Sequence, residues 1–207
     1  MEIIVEPVAN IDDEAAMLRI REQVFEREMG IPLVRLTALN DPGSFHLLAR
    51  LGVGGDAVAA LSVVDTSRDH ELHQAYDLKF PSLARVARYT QLAVLRPYRG
   101  VNVPLMLMLE AHRRFISPGR FDYTWLLFDA HRAASSMMCK WLGFIPGLRA
   151  FSSEYGLSRT LLRDEGAPSS ERAIWRTEQY VEQMLKSYRA PDQVFVRPTS
   201  AHRVSID

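Results

Sequence analysis

Cysteine is almost absent from this chain: Cys139 stands alone among 207 residues. A single thiol excludes an internal disulfide and any cysteine-rich metal centre. Net charge is missing too, since 25 basic residues are set against 25 acidic ones. No broad cationic field is left to attract nucleic acid. The longest apolar run, around Leu105, falls well short of the roughly 20 residues a membrane-spanning helix needs. The opening Met-Glu-Ile-Ile-Val-Glu lacks the basic segment and apolar stretch of a secretory leader, so the expectation is a cytoplasmic protein with no membrane span. Of the histidines only His70 and His73 lie close together. Their spacing is not His-Glu-x-x-His, no other ligand cluster accompanies them, and no metal is expected.

What is present is ordinary for a globular protein: 47% apolar and 24% charged residues, in a length suited to one domain with an appendage. Glu2 to Val8 reads as a short first strand. Asp12 and Asp13 are placed to cap a helix whose apolar face carries Met17, Ile20 and Val24, widened by Leu18 and Phe25. Gly30 and Pro32 end it. Strands over 46–51 and 56–64 flank Gly52-Val53-Gly54-Gly55. That cluster joins strand to strand, as a hairpin does, whereas a phosphate cradle leads into a helix. Residues 65–84 form a long polar connection of the sort that makes lids and binding loops. Tyr123 to Phe128 is apolar on both faces, as a strand covered on two sides should be. Residues 133–142 read as a short helix, and 151–162 as the last strands. The composition shift at 165–170 separates a domain over 1–165 from a linker, amphipathic helix and tail over 166–207. In that helix Ile174, Val181 and Tyr188 recur at seven-residue spacing. The stripe suits packing on the domain or on a second subunit as a homodimer.

The chain is organised around residues 85–115, Arg85 to Phe115. A strand ending at Leu95 turns through Arg96-Pro97-Tyr98-Arg99-Gly100 into a strongly apolar helix. Asn102 is placed as its cap and Pro104 in its first turn. An arginine-bearing turn before a helix N-terminus is a ready anion site.

Three segments carry a resemblance. Gln91-Leu92-Ala93-Val94-Leu95-Arg96-Pro97-Tyr98-Arg99-Gly100 resembles the signature of the GNAT acyltransferase superfamily. Cys139-Lys140-Trp141-Leu142-Gly143-Phe144 is similar to its Gly-Phe junction. Arg21-Glu22-Gln23-Val24-Phe25 with Glu28-Met29-Gly30-Ile31-Pro32 is a third match, and the three stand in the family's order over roughly residues 3 to 165. The resemblance implies an α/β fold: a mixed, mostly antiparallel sheet flanked by helices, with a C-terminal helical extension. It implies an N-acyltransferase that moves an acyl group from a thioester to the primary amine of a small molecule or amino acid. The donor would be acetyl-CoA, a longer acyl-CoA or an acyl carrier protein thioester. Leu92, Ala93 and Val94 would offer backbone to the donor's pantetheine arm, and Arg99, Gly100, Val101, Asn102, Val103 and Pro104 would surround its pyrophosphate. Parts of the chain, Gly143 to Gly147 and Tyr155 to Leu157, are loosely similar to the N-acyl amino acid synthases and acyl-homoserine-lactone synthases, which are associated with long acyl chains. Met106, Met108, Met137 and Met138 would suit a pliable acyl pocket or plain core.

Two departures matter. Asn102 and Pro104 replace small residues of the family loop, and proline removes one N–H from the phosphate nest. Cys139 takes the place where the family often has a tyrosine that protonates the leaving thiolate. It reads either as that acid or as a small buried apolar residue. For the base that deprotonates the incoming amine, His131, Glu28 and His46 are candidates. Asp129 is suited to receive a cationic substrate. The rival reading is a GNAT-fold binding or interaction module that has lost catalysis.

Overall fold

The structure is a computed structural model that describes residues 2–33, 43–99, 102–129, 140–152, 156–187 and 195–198. Among the described residues eight strands form one sheet: β1 (Glu2–Pro7), β2 (Ser44–Leu51), β3 (Ala57–Asp65), β4 (Val86–Val94), β5 (Tyr123–Asp129), β6 (Ile145–Ser152), β7 (Gly156–Asp164) and β8 (Phe195–Pro198). They lie in the order β6-β7-β5-β4-β3-β2-β1-β8. Neighbours are antiparallel except β4–β5 and β1–β8, so the sheet is mixed and mostly antiparallel, as expected.

Successive strand residues point to opposite faces, and each face has its own cover. Leu47 enters the cluster containing Leu61, the helix α3 (Val103–Ala111) and Ile174 and Val181 of α4 (Pro168–Ser187). Leu48, next along, meets Met17, Ile20, Val24 and Phe25 of α1 (Ile11–Arg21) and its continuation. Farther along the sheet, Tyr76 after the short α2 (His70–Ala75) packs with Val86 and Trp125. The helix stripe of Ile174 and Val181 is thus spent on the domain itself, leaving Trp175 and Tyr180 at the surface. Among the described residues no helix is long and apolar enough to cross a membrane.

Local chemistry explains where the sequence reading shifts. The cap of α1 is Asn10, two residues before the first expected one: its side chain accepts from the Asp13 amide at 3.0 Å, and Asp13 accepts from Ala9 in return. Asp13 has a further partner in Arg50. Leu18, counted on the apolar face, is exposed. Beyond Arg21 the helix widens into a π-helical stretch, Glu22–Glu28, a form that recurs at functional sites. Gly52 and Gly54 take left-handed conformations (φ 69° and 67°) in the β2–β3 hairpin, as that glycine cluster predicted. The 65–84 connection contains α2, capped by Asp69, and buries His73 among Thr66, Phe80 and Trp125. The chain past residue 190, patternless in sequence, adds β8 beside β1.

Candidate functional site

The site begins where β4 parts from β5. The two strands pair in parallel from Val86↔Tyr123 to Tyr89↔Leu126, and there the ladder stops. Yet β4 continues to Val94 and β5 to Asp129, the latter still paired to β7. Five residues of β4, Thr90 to Val94, therefore run roughly 16 Å with the side toward β5 unladdered. A twisted sheet does not open between two paired strands without a cause. Across β3, Ala60 pairs with Ala93 and Ser62 with Thr90, so Leu61 alone faces both Gln91 and Leu92. That is a bulge, and Gln91 carries its kink at φ 54°, a left-handed conformation uncommon for any residue but glycine.

The backbone past the bulge has a definite aim. Leu95 donates its amide to the Val58 carbonyl on β3 at 3.0 Å. A peptide's N–H and C=O point opposite ways, so the Val94 carbonyl looks toward β5. Arg99 Nε donates to it at 2.9 Å, and Arg99 Nη2 donates to Glu28 Oε2. Between β4 and α3, Arg96–Tyr98 make one 3₁₀ turn, and Asn102 then turns the chain into α3 at φ 57°. Asn102 stands at the cap position but makes no side-chain cap bond; its left-handed backbone does the turning. Its carbonyl accepts from the Met106 amide at 3.1 Å. Pro104 in the first turn has no N–H to offer, while Val103 and Leu105 keep theirs.

The site residues read from sequence are thus only partly gathered. Leu92, Ala93 and Val94 lie on the stretch of β4 that is unladdered toward β5; Leu92 and Val94 pack into the core on the α3 side and Ala93 on the α1 side. Arg99 and Asn102 lie between this strand and α3, and Val103 and Pro104 open the first turn of α3. Glu28 is brought to Arg99, at the loop end of β4 rather than at the bulge. The hydrogen bond from Arg99, helped by its charge, holds the Glu28 carboxyl below the usual carboxylate range, which weakens it as a proton acceptor. A cavity of about 670 Å³ opens here, lined by Gln23, Glu28, Leu95, Arg96, Pro97 and Arg99. Gly100, Val101, His131 and Cys139 lie outside the described residues, as do Met137 and Met138. Met106 and Met108 are buried core. His46 faces Ser62, with Nδ1 and Oγ 2.6 Å apart, and Ser62 also accepts from the fully buried Arg21 at 2.6 Å.

Below the opening lies a polar cluster that the sequence reading missed. Arg163, only 1% exposed, donates to Glu165 (2.7 Å), the Leu142 carbonyl (2.9 Å) and the Tyr89 hydroxyl (3.3 Å). Its guanidinium also lies 4.5 Å from the centre of the Phe144 ring. Thr124 donates to Glu165, and His112 Nδ1 lies 3.5 Å from the same carboxylate. Burial, then the charges of Arg163 and Arg113, push the His112 pKa down to about 3, so its imidazole is neutral. Burial likewise raises the Tyr89 phenol well above its ordinary value. The cluster fastens β4, β5 and β7 to the Gly143–Phe144 junction immediately before β4 and β5 part. Gly143 has φ 82°, and a Cβ there would come within 3.0 Å of Ala173 on α4. Only glycine fits. The one sequence signal for the cluster was a charged residue at the end of the apolar pair Leu161-Leu162.

No family model and no curated protein matches the sequence. Solved structures do. A CoA-dependent acyl-homoserine lactone synthase, BjaI, superposes with a TM-score of 0.60 at 17% identity, over 94% of this chain and 92% of that one. The N-acyl amino acid synthase FeeM from uncultured soil microbes gives 0.59 at 14% identity, over 79% and 90%. Arabidopsis thaliana NAA60, in complex with acetyl-CoA, gives 0.59 at 14% identity, over 78% and 98%. The chain has the GNAT fold. At these identities the likeness establishes the architecture alone, and the chemistry must come from the site.

Proposed function

We propose that this GNAT-fold chain is an N-acyltransferase that carries an acyl group from a thioester donor to a primary amine. The observation that carries the reading is the coincidence of bulge and opening: β4 kinks at Gln91 and runs on to Val94 with its β5-facing side unladdered. An amide-bearing pantetheine arm can complete that side as a short extra strand, taking hydrogen bonds from main chain while Leu92 and Val94 stay packed. The donor's phosphates then fall at Arg99 and Arg96 and the first turn of α3, where guanidinium groups and the positive end of the helix dipole favour an anion. BjaI is a CoA-dependent synthase and NAA60 is known in complex with acetyl-CoA, which supports a CoA thioester here. A carrier-protein donor would present the same arm.

The reaction needs little beyond positioning. The amine attacks the thioester carbon, an oxyanion forms and is held by backbone N–H groups near the bulge, and the C–S bond breaks as the thiolate takes a proton. His131 is our candidate for the base and Cys139 for the acid. The geometry of Glu28 favours a place in the donor loop over a place at the thioester.

The test is turnover. Acetyl-CoA and a long-chain acyl-CoA are each incubated with a panel of amino acids and small amines while free thiol is followed. Amine-dependent thiol release with at least one donor is expected. Donor binding without release across the panel would favour the binding-module reading, and no binding of either donor would overturn both.

A further inference from the structure

We infer that Glu28 is a gate on the donor loop: its carboxylate holds Arg99 across the strand edge that the donor arm must use, and donor phosphate displaces it. The inference rests on the donor reading above. It comes from one guanidinium making two contacts that a bound donor cannot leave intact. Arg99 Nε occupies the Val94 carbonyl at 2.9 Å, the acceptor that faces β5 just beyond the bulge. Arg99 Nη2 is meanwhile paired with Glu28, at the end of the π-helical stretch and 71 residues away in sequence. With both contacts made, the cation that would meet a phosphate is neutralised, and the carbonyl that would meet an arm amide is taken.

The pair is built to exchange. The Arg99 and Glu28 side chains are 42% and 24% exposed, so the carboxylate contact is partly screened by water and costs little to break. A phosphate presents the guanidinium with two oxygens and more charge than one carboxylate oxygen can, and so wins the competition once it arrives. Glu28 is not left bare when Arg99 turns away, because Arg96 and Gln23 line the same cavity and both favour its ionised form. Glu28 is therefore a specificity-determining residue. A thioester with phosphates can pull Arg99 off the strand, whereas a bare pantetheine thioester has nothing to offer it.

The test is calorimetric titration of the full chain with coenzyme A. Glu28→Gln removes the competing charge and is expected to tighten binding about twofold to fivefold, the range of a partly exposed ion pair. Glu22→Gln is the control. Glu22 sits on the same π-helical stretch but pairs with Arg27 at 2.6 Å, so its loss changes net charge equally and leaves Arg99 alone. It is expected to change nothing. In an Arg99→Ala background the Glu28→Gln effect should vanish, because the gate has no bar to release. Unchanged or weaker binding by Glu28→Gln, an equal gain from Glu22→Gln, or a gain that persists without Arg99 would each overturn the gate. Failure of the unmodified chain to bind coenzyme A is a different result: it would remove the donor reading on which the gate stands.

Discussion

The two halves of β4 share one backbone and do opposite things. From Val86 to Tyr89 the strand is laddered on both sides, and the Arg163 cluster fastens it to β5, β7 and the Gly143–Phe144 junction. From Thr90 to Val94 it is laddered toward β3 only, kinked at Gln91, and ends on a carbonyl held by its own arginine. A sheet can be opened safely only beside a place where it is firmly closed. The buried charges of the lower half, costly in themselves, give the opening a fixed starting point.

If the lower half is that fastening, breaking it should be severe. Arg163→Leu leaves Glu165 buried without its cation and is expected to destabilise the chain by about 3–5 kcal/mol, measured by urea unfolding. A loss below about 1 kcal/mol would mean that the cluster fastens nothing. Gly143→Ala attacks the same junction through backbone strain and the 3.0 Å approach to Ala173. It should cost about 1–3 kcal/mol by the same measurement.

The cluster also sets an acid limit. His112 has its pKa lowered from 6.5 to about 3, so between those values the unfolded chain binds a proton that the folded one refuses. Above pH 6.5 this costs nothing; below it, stability should fall by about 1.4 kcal/mol per pH unit from this group alone. Comparing unfolding at pH 7 and pH 5 with a His112→Gln variant isolates that slope, which the variant should lack. The smallest effect belongs to the upper half. Gln91→Gly should be more stable than Gln91→Ala by about 1 kcal/mol, because only glycine takes φ 54° freely. Equal stabilities would mean that the kink is not held in that conformation in solution.

Much of this architecture was legible in sequence because it depends on local chemistry. The Gly52–Gly55 turn, the apolar face of Met17, Ile20 and Val24, and the strand–turn–helix of residues 85–115 each follow from periodicity or turn residues. The role of Leu92 to Val94 was read through resemblance, but nothing in Gln91 as a residue type announces the left-handed strand position just before them. The Arg163–Glu165–His112–Tyr89 cluster was illegible because its members come from separate elements, and each alone reads as surface or core. Glu28 shows the same limit in the site. Its place at the helix end suggested a base, whereas its partner, Arg99, is fixed by tertiary approach. Asn102 was placed correctly at the start of α3, yet it acts through its backbone rather than its side chain.

Whether a donor arm seats on the β5-facing edge of β4 past the bulge is read out by backbone amide NMR during a coenzyme A titration. Amide shifts concentrated at Thr90 to Val94 and Arg99, with Val86 to Tyr89 nearly silent, are the expected result. Shifts confined elsewhere, for instance around the separate cavity lined by His73, Gln74 and Phe80, with the β4 edge unmoved, would contradict it.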